Sequence, residues 1–252
     1  MSNVVKDKLR AGKVTLGAWV MVGHPASGEI QAACGFDWVA VDTEHTSIGF
    51  ETLENIIRAI EHGGAAPFVR MPGHDPIMIK RTLDIGARGI IVPMVNSAVQ
   101  AEEIVAAAKF PPVGERGASF CRPSSYGDNF KGYYDAHNED ICVVAMVEHV
   151  DAVANIEEIV RVEGVDALFM GPYDLSSSMG IVGEFDNPRF EEALKKVREA
   201  AKKAGMPVGL HVVPPDIDQI RQRAAEGFQF IACSIDTQMI LSLGKQMARA
   251  LD

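Results

Sequence analysis

Eight times along the chain, a short unbroken apolar run is followed by a longer segment of helical period. The runs are TLGAWVM (15–21), WVAVD (38–42), PFVRM (67–71), GIIVPMV (89–95), ICVVAMVE (141–148), ALFMG (167–171), PVGLHVV (207–213) and FIACSID (230–236). Each has strand length and is apolar on both faces. That suits a parallel sheet covered by helices; a sheet with one wet face would alternate. The intervening segments, such as FETLENIIRAIEHG and PRFEEALKKVREAAKKAG, carry apolar residues at helical spacing. Gly35, Gly63, Gly86, Gly164, Gly205 and Gly227 close several of them, and Pro76 is placed to open one. Eight βα units in 252 residues predict a closed (β/α)8 TIM barrel, with residues 1–252 forming one domain. The alternative is an open doubly wound sheet. It usually carries a Gly-rich nucleotide loop after an early strand, and neither GxGxxG nor GxxxxGK[ST] occurs.

An apolar share of 47% supplies a substantial core. The net charge of −10 arises from acids and bases mixed along the chain. No basic stripe points to nucleic acid. No apolar run approaches the roughly 20 residues of a membrane span. The opening MSNVVKDKLRAGK is polar and amphipathic, without the apolar centre of a signal peptide. Cys34, Cys121, Cys142 and Cys233 show no CxxC spacing. A reducing cytoplasm is expected.

Residues 110–140, FPPVGERGASFCRPSSYGDNFKGYYDAHNED, break the rhythm. A connection this long without evident structure is usually functional. It joins a helix to a strand, which places it at the end of the barrel opposite the mouth. Yet it holds Arg116, Arg122, Ser124, Ser125, Tyr126 and Tyr133. It is expected at a subunit interface, reaching toward a neighbour's mouth.

Barrel active sites lie at the C-terminal ends of the strands. Read in order, those ends carry Asp42, Glu44 and His45; Arg70; Pro93-Met94-Val95; Glu148; Gly171-Pro172-Tyr173-Asp174; His211; and Asp236. Taken singly, each has an ordinary explanation. Asp42 or Asp236 could cap a helix, and Arg70 could pair with Asp42 or Glu44. Together they describe a charged rim on an apolar barrel. Glu148 and Asp174 end adjacent strands, and two like charges there call for a cation between them. Hard carboxylate oxygens favour Mg²⁺ or Mn²⁺. The competing explanation is a Glu148–Arg70 salt bridge. No lysine ends a strand, which argues against Schiff-base chemistry. His45 suits proton transfer near neutrality. Glu44 either structures its loop or pairs with Arg70.

The stretches GFDWVAVDTEH, FVRMPGHDP, IKRTLDIGARGIIVPMV, FPPVGERG, VEHVDAVANIEEI and VEGVDALFMGPYDLSSSMG run through most of the chain. In them the sequence resembles the HpcH/HpaI aldolase family of metal-dependent (class II) pyruvate aldolases. Its nearest likeness is to aldolases of 4-hydroxy-2-oxoheptanedioate and of 2-keto-3-deoxy sugar acids. The resemblance implies a homo-hexamer with a C-terminal helix exchanged between subunits. It implies Mg²⁺ or Mn²⁺, with Co²⁺ a third candidate, held by Glu148 and Asp174. It implies His45 as base and Arg70 as stabiliser of an enolate. Gly171, Pro172, Tyr173 and Asp174 would form the substrate-binding loop, with the backbone N–H groups of Tyr173 and Asp174 holding the substrate carboxylate. Asp42 and Asp84 both remain candidates to orient His45.

The sequence departs from the family pattern at three places. Met146 replaces a common Gln, Thr46-Ser47-Ile48-Gly49 replaces an Ala/Gly-Pro pattern, and Tyr173 replaces a small residue. With His211, these positions bear on substrate scope. The expected reaction is aldol cleavage or condensation of 4-hydroxy-2-oxo acids, giving pyruvate and an aldehyde. The alternatives sharing the same enolate are oxaloacetate decarboxylation, macrophomate-synthase-like chemistry and CoA-ester cleavage. A non-catalytic binding barrel or a metal-dependent isomerase lies further off.

Overall fold

The computed structural model describes residues 3–251. Helix α1 (Val4–Arg10) leads into β1 (Thr15–Val20), α2 (Pro25–Ala33), β2 (Trp38–Asp42) and α3 (Phe50–His62). Next come β3 (Ala66–Arg70), α4 (Pro76–Asp84), β4 (Gly89–Val92) and α5 (Ala98–Ala108). A 3-10 turn (Arg122–Gly127) and α6 (Phe130–Asp140) precede β5 (Cys142–Val147), α7 (Val150–Ala154) and α8 (Ile156–Ile159). The chain continues through β6 (Ala167–Met170), α9 (Pro172–Ser178), α10 (Pro188–Ala204) and β7 (Val208–Val212). It ends with α11 (Ile217–Ala225), β8 (Phe230–Ile235) and α12 (Asp236–Ala248).

The strands pair in sequence order, all parallel, and β8 returns to β1 to close the barrel. The eight apolar runs are therefore eight barrel strands. Among the described residues no helix is long and apolar enough to cross a membrane.

Two buried clusters follow from the period of two along each strand. Outward residues such as Val39, Val41, Val143 and Leu210 pack under the helices. Inward residues, among them Trp38, Phe68, Phe169 and Phe230, fill the barrel. Trp38 stacks on Phe230 with centroids 4.0 Å apart. Glycine makes the space for these rings. A Cβ on Gly17 would come within 2.1 Å of the Trp38 indole, and one on Gly89 within 2.1 Å of the Phe68 ring.

The polar opening of the chain is a working part of the barrel. Asn3 caps α1, and Val5 and Leu9 join the interior cluster. Buried Lys6 donates to the Ile141 carbonyl at 2.8 Å and pairs with Asp166 at 2.9 Å. Asn3 donates to the Arg88 carbonyl at 2.8 Å. Arg88, Ile141 and Asp166 all precede strands, so α1 closes the end opposite the mouth.

Residues 110–140 are not structureless. The 3-10 turn and α6 occupy much of the segment. Its organiser is Arg116, whose buried guanidinium lies over Phe110, 4.7 Å from the ring centroid, and pairs with Asp84 at 2.6 Å. The stretch DAVANIEEIVRVEG (151–164), which has helical period, is broken into two short helices, α7 and α8, and α9 follows β6 directly.

Candidate active site

The inward face of the strands is apolar for two layers and turns polar in the last. Along β2 it reads Trp38, Ala40, Asp42; along β3, Ala66, Phe68, Arg70; along β5, Cys142, Val144, Met146, with Glu148 one step past the strand. The same alternation that builds the core thus delivers three charged side chains to the mouth.

Asp42 is buried and organises the exit of β2. Its Oδ1 accepts the backbone N–H of Glu44 at 2.9 Å and of His45 at 2.8 Å. Its Oδ2 accepts the Trp19 indole N–H at 3.0 Å. The Thr46 hydroxyl donates to the Asp42 carbonyl at 2.5 Å. Asp42 therefore places His45 through the backbone. The imidazole stays exposed, with Nε2 3.5 Å from Glu44 Oε2.

Arg70 gathers three carboxylates. Its Nη2 lies 2.6 Å from Glu44 Oε2 and 3.8 Å from Glu148 Oε2, and its Nη1 lies 3.5 Å from Asp42 Oδ2. Glu148 Oε1 accepts the Met94 N–H at 2.6 Å. Met94 sits at φ 53°, a left-handed conformation unusual for a side-chain-bearing residue, and that turn aims the N–H at Glu148. Glu148 Oε2 is buried with no hydrogen-bond partner. A Cβ on Gly171 would come 2.7 Å from that oxygen, so glycine is what lets the carboxylate lie there.

Burial pushes the Glu148 carboxyl up to about 7; the Met94 N–H and Arg70 oppose the shift, while Asp174 and Glu44 add to it. Burial also raises Glu44, against the pull of Arg70 and His45. Asp174, in the first turn of α9, is exposed and near enough to act on both acids.

Three carboxylates around one guanidinium, Glu148 with an orphaned oxygen, and Asp174 near enough to act on Glu148 fit a divalent cation between Glu148 and Asp174. Among the described residues no group of three or more His, Cys, Asp or Glu forms a metal cage. Two carboxylates would leave the other coordination positions to water or substrate oxygens, as hard cations prefer.

The remaining sequence candidates separate. Met146 is buried in the barrel interior, directly below the Glu148 layer. Pro172 opens α9 and no side chain caps that helix. Tyr173 is exposed, its ring edge-on to Phe185 at 5.0 Å. The His211 ring lies 4.9 Å from the Trp19 ring.

Asp84 is not brought to His45. It ends α4, and a helix antiparallel to the strands ends at the barrel floor; there Arg116 takes its carboxylate at 2.6 Å. Asp236 is likewise absorbed into structure: it accepts from the backbone of Met21, Val22 and Thr237 and from the Ser27 hydroxyl. Trp19 was not among the sequence candidates, and Met94 stood there only as part of a strand end, with no role for its backbone. Trp19 was findable, because the alternation that turns Asp42 inward also turns Trp19 inward. Nothing in the sequence marks the Met94 conformation.

The model for the HpcH/HpaI aldolase/citrate lyase family matches residues 15–242. The chain belongs to that family. Its relatives include a 2-dehydro-3,6-dideoxy-6-sulfogluconate aldolase of Pseudomonas putida, 38% identical, with 96% of this chain and 94% of that protein covered. A 4-hydroxy-2-oxovalerate aldolase of Novosphingobium aromaticivorans is 39% identical, with 93% and 89% covered. An HpcH/HpaI family crystal structure from Burkholderia cenocepacia J2315 superposes with a TM-score of 0.93 at 32% identity, covering 98% of both chains. The family match begins where β1 begins and leaves out α1.

Proposed function

We propose that this family member is a carbon–carbon lyase. It cleaves 4-hydroxy-2-oxo acids to pyruvate and an aldehyde, and runs the reverse condensation, with a divalent cation held by Glu148 and Asp174. The observation that carries this is the buried Glu148 carboxylate, with one oxygen unpartnered, set between Arg70 and Asp174 at the mouth. When bound, the cation supplies Lewis acidity at the keto oxygen, an effect worth several kcal/mol. Mg²⁺ or Mn²⁺ suits the two oxygen donors.

The chain's own residues supply the rest. The exposed His45 imidazole takes the proton of the C4 hydroxyl as the C3–C4 bond breaks. Asp42 keeps that ring in place through the backbone. Arg70 stabilises the negative charge that develops on the pyruvyl oxygen. The uncapped start of α9 offers the N–H groups of Tyr173 and Asp174 to the substrate carboxylate. Met146 gives the site a dry floor. Ile240, Leu243 and Met247, which α12 leaves exposed, support burial of that helix against other subunits in a homo-oligomer.

The test is pyruvate release from 4-hydroxy-2-oxopentanoate with added Mg²⁺ or Mn²⁺. Turnover should vanish with EDTA and return with either cation. Turnover that resists EDTA overturns the cation's place in this reading, and no cleavage under any condition overturns the reading itself.

A further inference from the structure

The Pro93–Met94 peptide follows β4 at the mouth, and both of its polar ends are taken. The Met94 N–H donates to Glu148 Oε1 at 2.6 Å. The Pro93 carbonyl oxygen lies 2.6 Å from Nε2 of His74, on the loop between β3 and α4. A carbonyl only accepts, so Nε2 carries the proton and donates it here. The peptide is a rigid trans plane whose C=O and N–H point opposite ways. His74 and Glu148 therefore hold the two ends of one plate, and what fixes the carbonyl aims the N–H.

That plate needs holding. Met94 sits at φ 53°, and a residue with a side chain keeps such a conformation only where its surroundings over-determine it. Beyond Met94 the chain is pinned by other contacts. The Val95 N–H reaches the Met146 carbonyl at 3.3 Å, the Asn96 N–H reaches Gln100 Oε1 at 2.7 Å, and Asn155 donates to the Asn96 carbonyl at 2.8 Å. These contacts fix residues 95 and 96. They leave free the plane before Met94, which turns about ψ of Pro93 and φ of Met94. With its carbonyl released, that plane relaxes toward negative φ and carries the N–H away from Glu148. The effect on Glu148 is chemical. With Oε1 engaged, the carboxylate offers Oε2, the buried oxygen with no hydrogen-bond partner. Burial holds this carboxyl high, and the Met94 N–H is the largest of the pulls toward its charged form. A hydrogen bond at the carbonyl also polarises the peptide and strengthens its N–H as a donor.

We propose that His74 is a positioning residue for the cation site: through the Pro93–Met94 peptide it sets Glu148 so that Oε2 is turned to the cation. It acts through the peptide, not by contact with the ion. This rests on the reading above only for the cation's place at Glu148, and adds a residue to it. Outer partners that orient a metal ligand are worth about 10- to 100-fold in metal affinity. His74→Ala removes the donor. His74→Leu removes it too but roughly fills the place of the ring, so a variant without a donor is at hand even where Ala does not fold. His74→Gln keeps a donor, because its side-chain amide N–H reaches the place of Nε2. If His74 only filled space, Leu would serve as well as Gln.

The experiment titrates Mn²⁺ alone into the metal-free full chain and follows binding by calorimetry, with no substrate present. Glu148→Gln gives the background. His74→Ala and His74→Leu should each bind Mn²⁺ about 10- to 100-fold more weakly than the wild type, and His74→Gln should recover most of the loss. In cleavage assays the Mn²⁺ concentration for half-maximal rate should rise by the same factor, while kcat and KM for the 2-oxo acid at saturating Mn²⁺ stay near the wild-type values. Wild-type affinity in the Ala or Leu variant overturns the proposal, and so does a Gln variant no better than Leu; the cation and aldol readings stand in both cases. A wild type that takes up no Mn²⁺ above the background overturns the cation's place at Glu148 and this proposal together. Mn²⁺ binding that depends on His74, without any cleavage, overturns the aldol reading and supports this one.

Discussion

Arg70 Nη2 and Glu44 Oε2 meet at 2.6 Å across the lip of the barrel. The contact settles where Glu44 lies: beside the guanidinium, with its other neighbour the His45 ring at 3.5 Å. It ties the proposed base and the proposed charge stabiliser into one cluster that substrate must enter.

Arg70→Ala should cost about 10²- to 10³-fold in cleavage, roughly 2.7–4 kcal/mol by analogy with a lost oxyanion-hole donor. Arg70→Lys should recover only part, because an ammonium cannot span two partners as the planar fork does. Steady-state cleavage assays check both. Near-wild-type turnover in the alanine variant would remove Arg70 from the mechanism.

His45→Ala should lower aldol cleavage by about 10²- to 10⁴-fold, the usual range for a positioned base. Decarboxylation of oxaloacetate needs no proton taken from a C4 hydroxyl, so it should fall much less. Measuring both reactions on one preparation separates the roles. Equal losses would mean that His45 holds the site together rather than moving the proton.

Glu148 ties pH to stability. Without a cation, its folded-state value of about 7 lies above the ordinary 4.5. The folded chain therefore holds a proton that the unfolded chain has released. This group's stabilising contribution is complete below about 4.5 and is lost as pH rises to about 7, a difference on the order of 3 kcal/mol. Glu148→Gln should raise the melting temperature of metal-free protein at pH 8 and abolish cleavage. Mn²⁺ should raise the melting temperature of the wild type and leave that of Glu148→Gln unchanged. A variant that melts lower at pH 8 would contradict the burial argument.

Asp84→Ala strips the counter-ion from an Arg116 guanidinium that is wholly buried. Breaking one side of a buried pair costs roughly 3–5 kcal/mol, less here because Asp84 is partly open to water; about 2–3 kcal/mol is expected. Urea unfolding measures it, and a change below about 0.5 kcal/mol would show that the Phe110 ring and His137, whose Nε2 lies 2.7 Å from Arg116 Nη1, suffice to hold Arg116.

Gly17→Ala forces a methyl into the Trp38 indole, 2.1 Å away. Overpacking of this kind costs about 1–3 kcal/mol. The loss should appear in chemical denaturation, with the near-ultraviolet circular dichroism of Trp38 altered. An unchanged midpoint would mean that the indole has room to move.

The barrel and its rim were legible because one alternation writes both. The count that turns Trp38 and Ala40 inward also turns Asp42 inward, and the strand ends then supply Arg70 and Glu148. What escaped was set by contacts between distant parts of the chain. The lead-in became α1 because Lys6 finds Asp166 and Ile141, more than a hundred residues away. Residues 110–140 took shape around Arg116 and Asp84, which no local pattern pairs. The left-handed conformation of Met94 is imposed by what its backbone must reach, and the residue type does not announce it.

The floor that α1 lays across the barrel has a kinetic reading. With Val5 and Leu9 plugging one end, reactants and products share a single doorway. On the proposed aldol reading, cleavage behind one doorway would impose a queue, the aldehyde, nearer the lip, leaving before the pyruvate anchored below it. Product inhibition by pyruvate should then be competitive against the 2-oxo acid and that by the aldehyde noncompetitive.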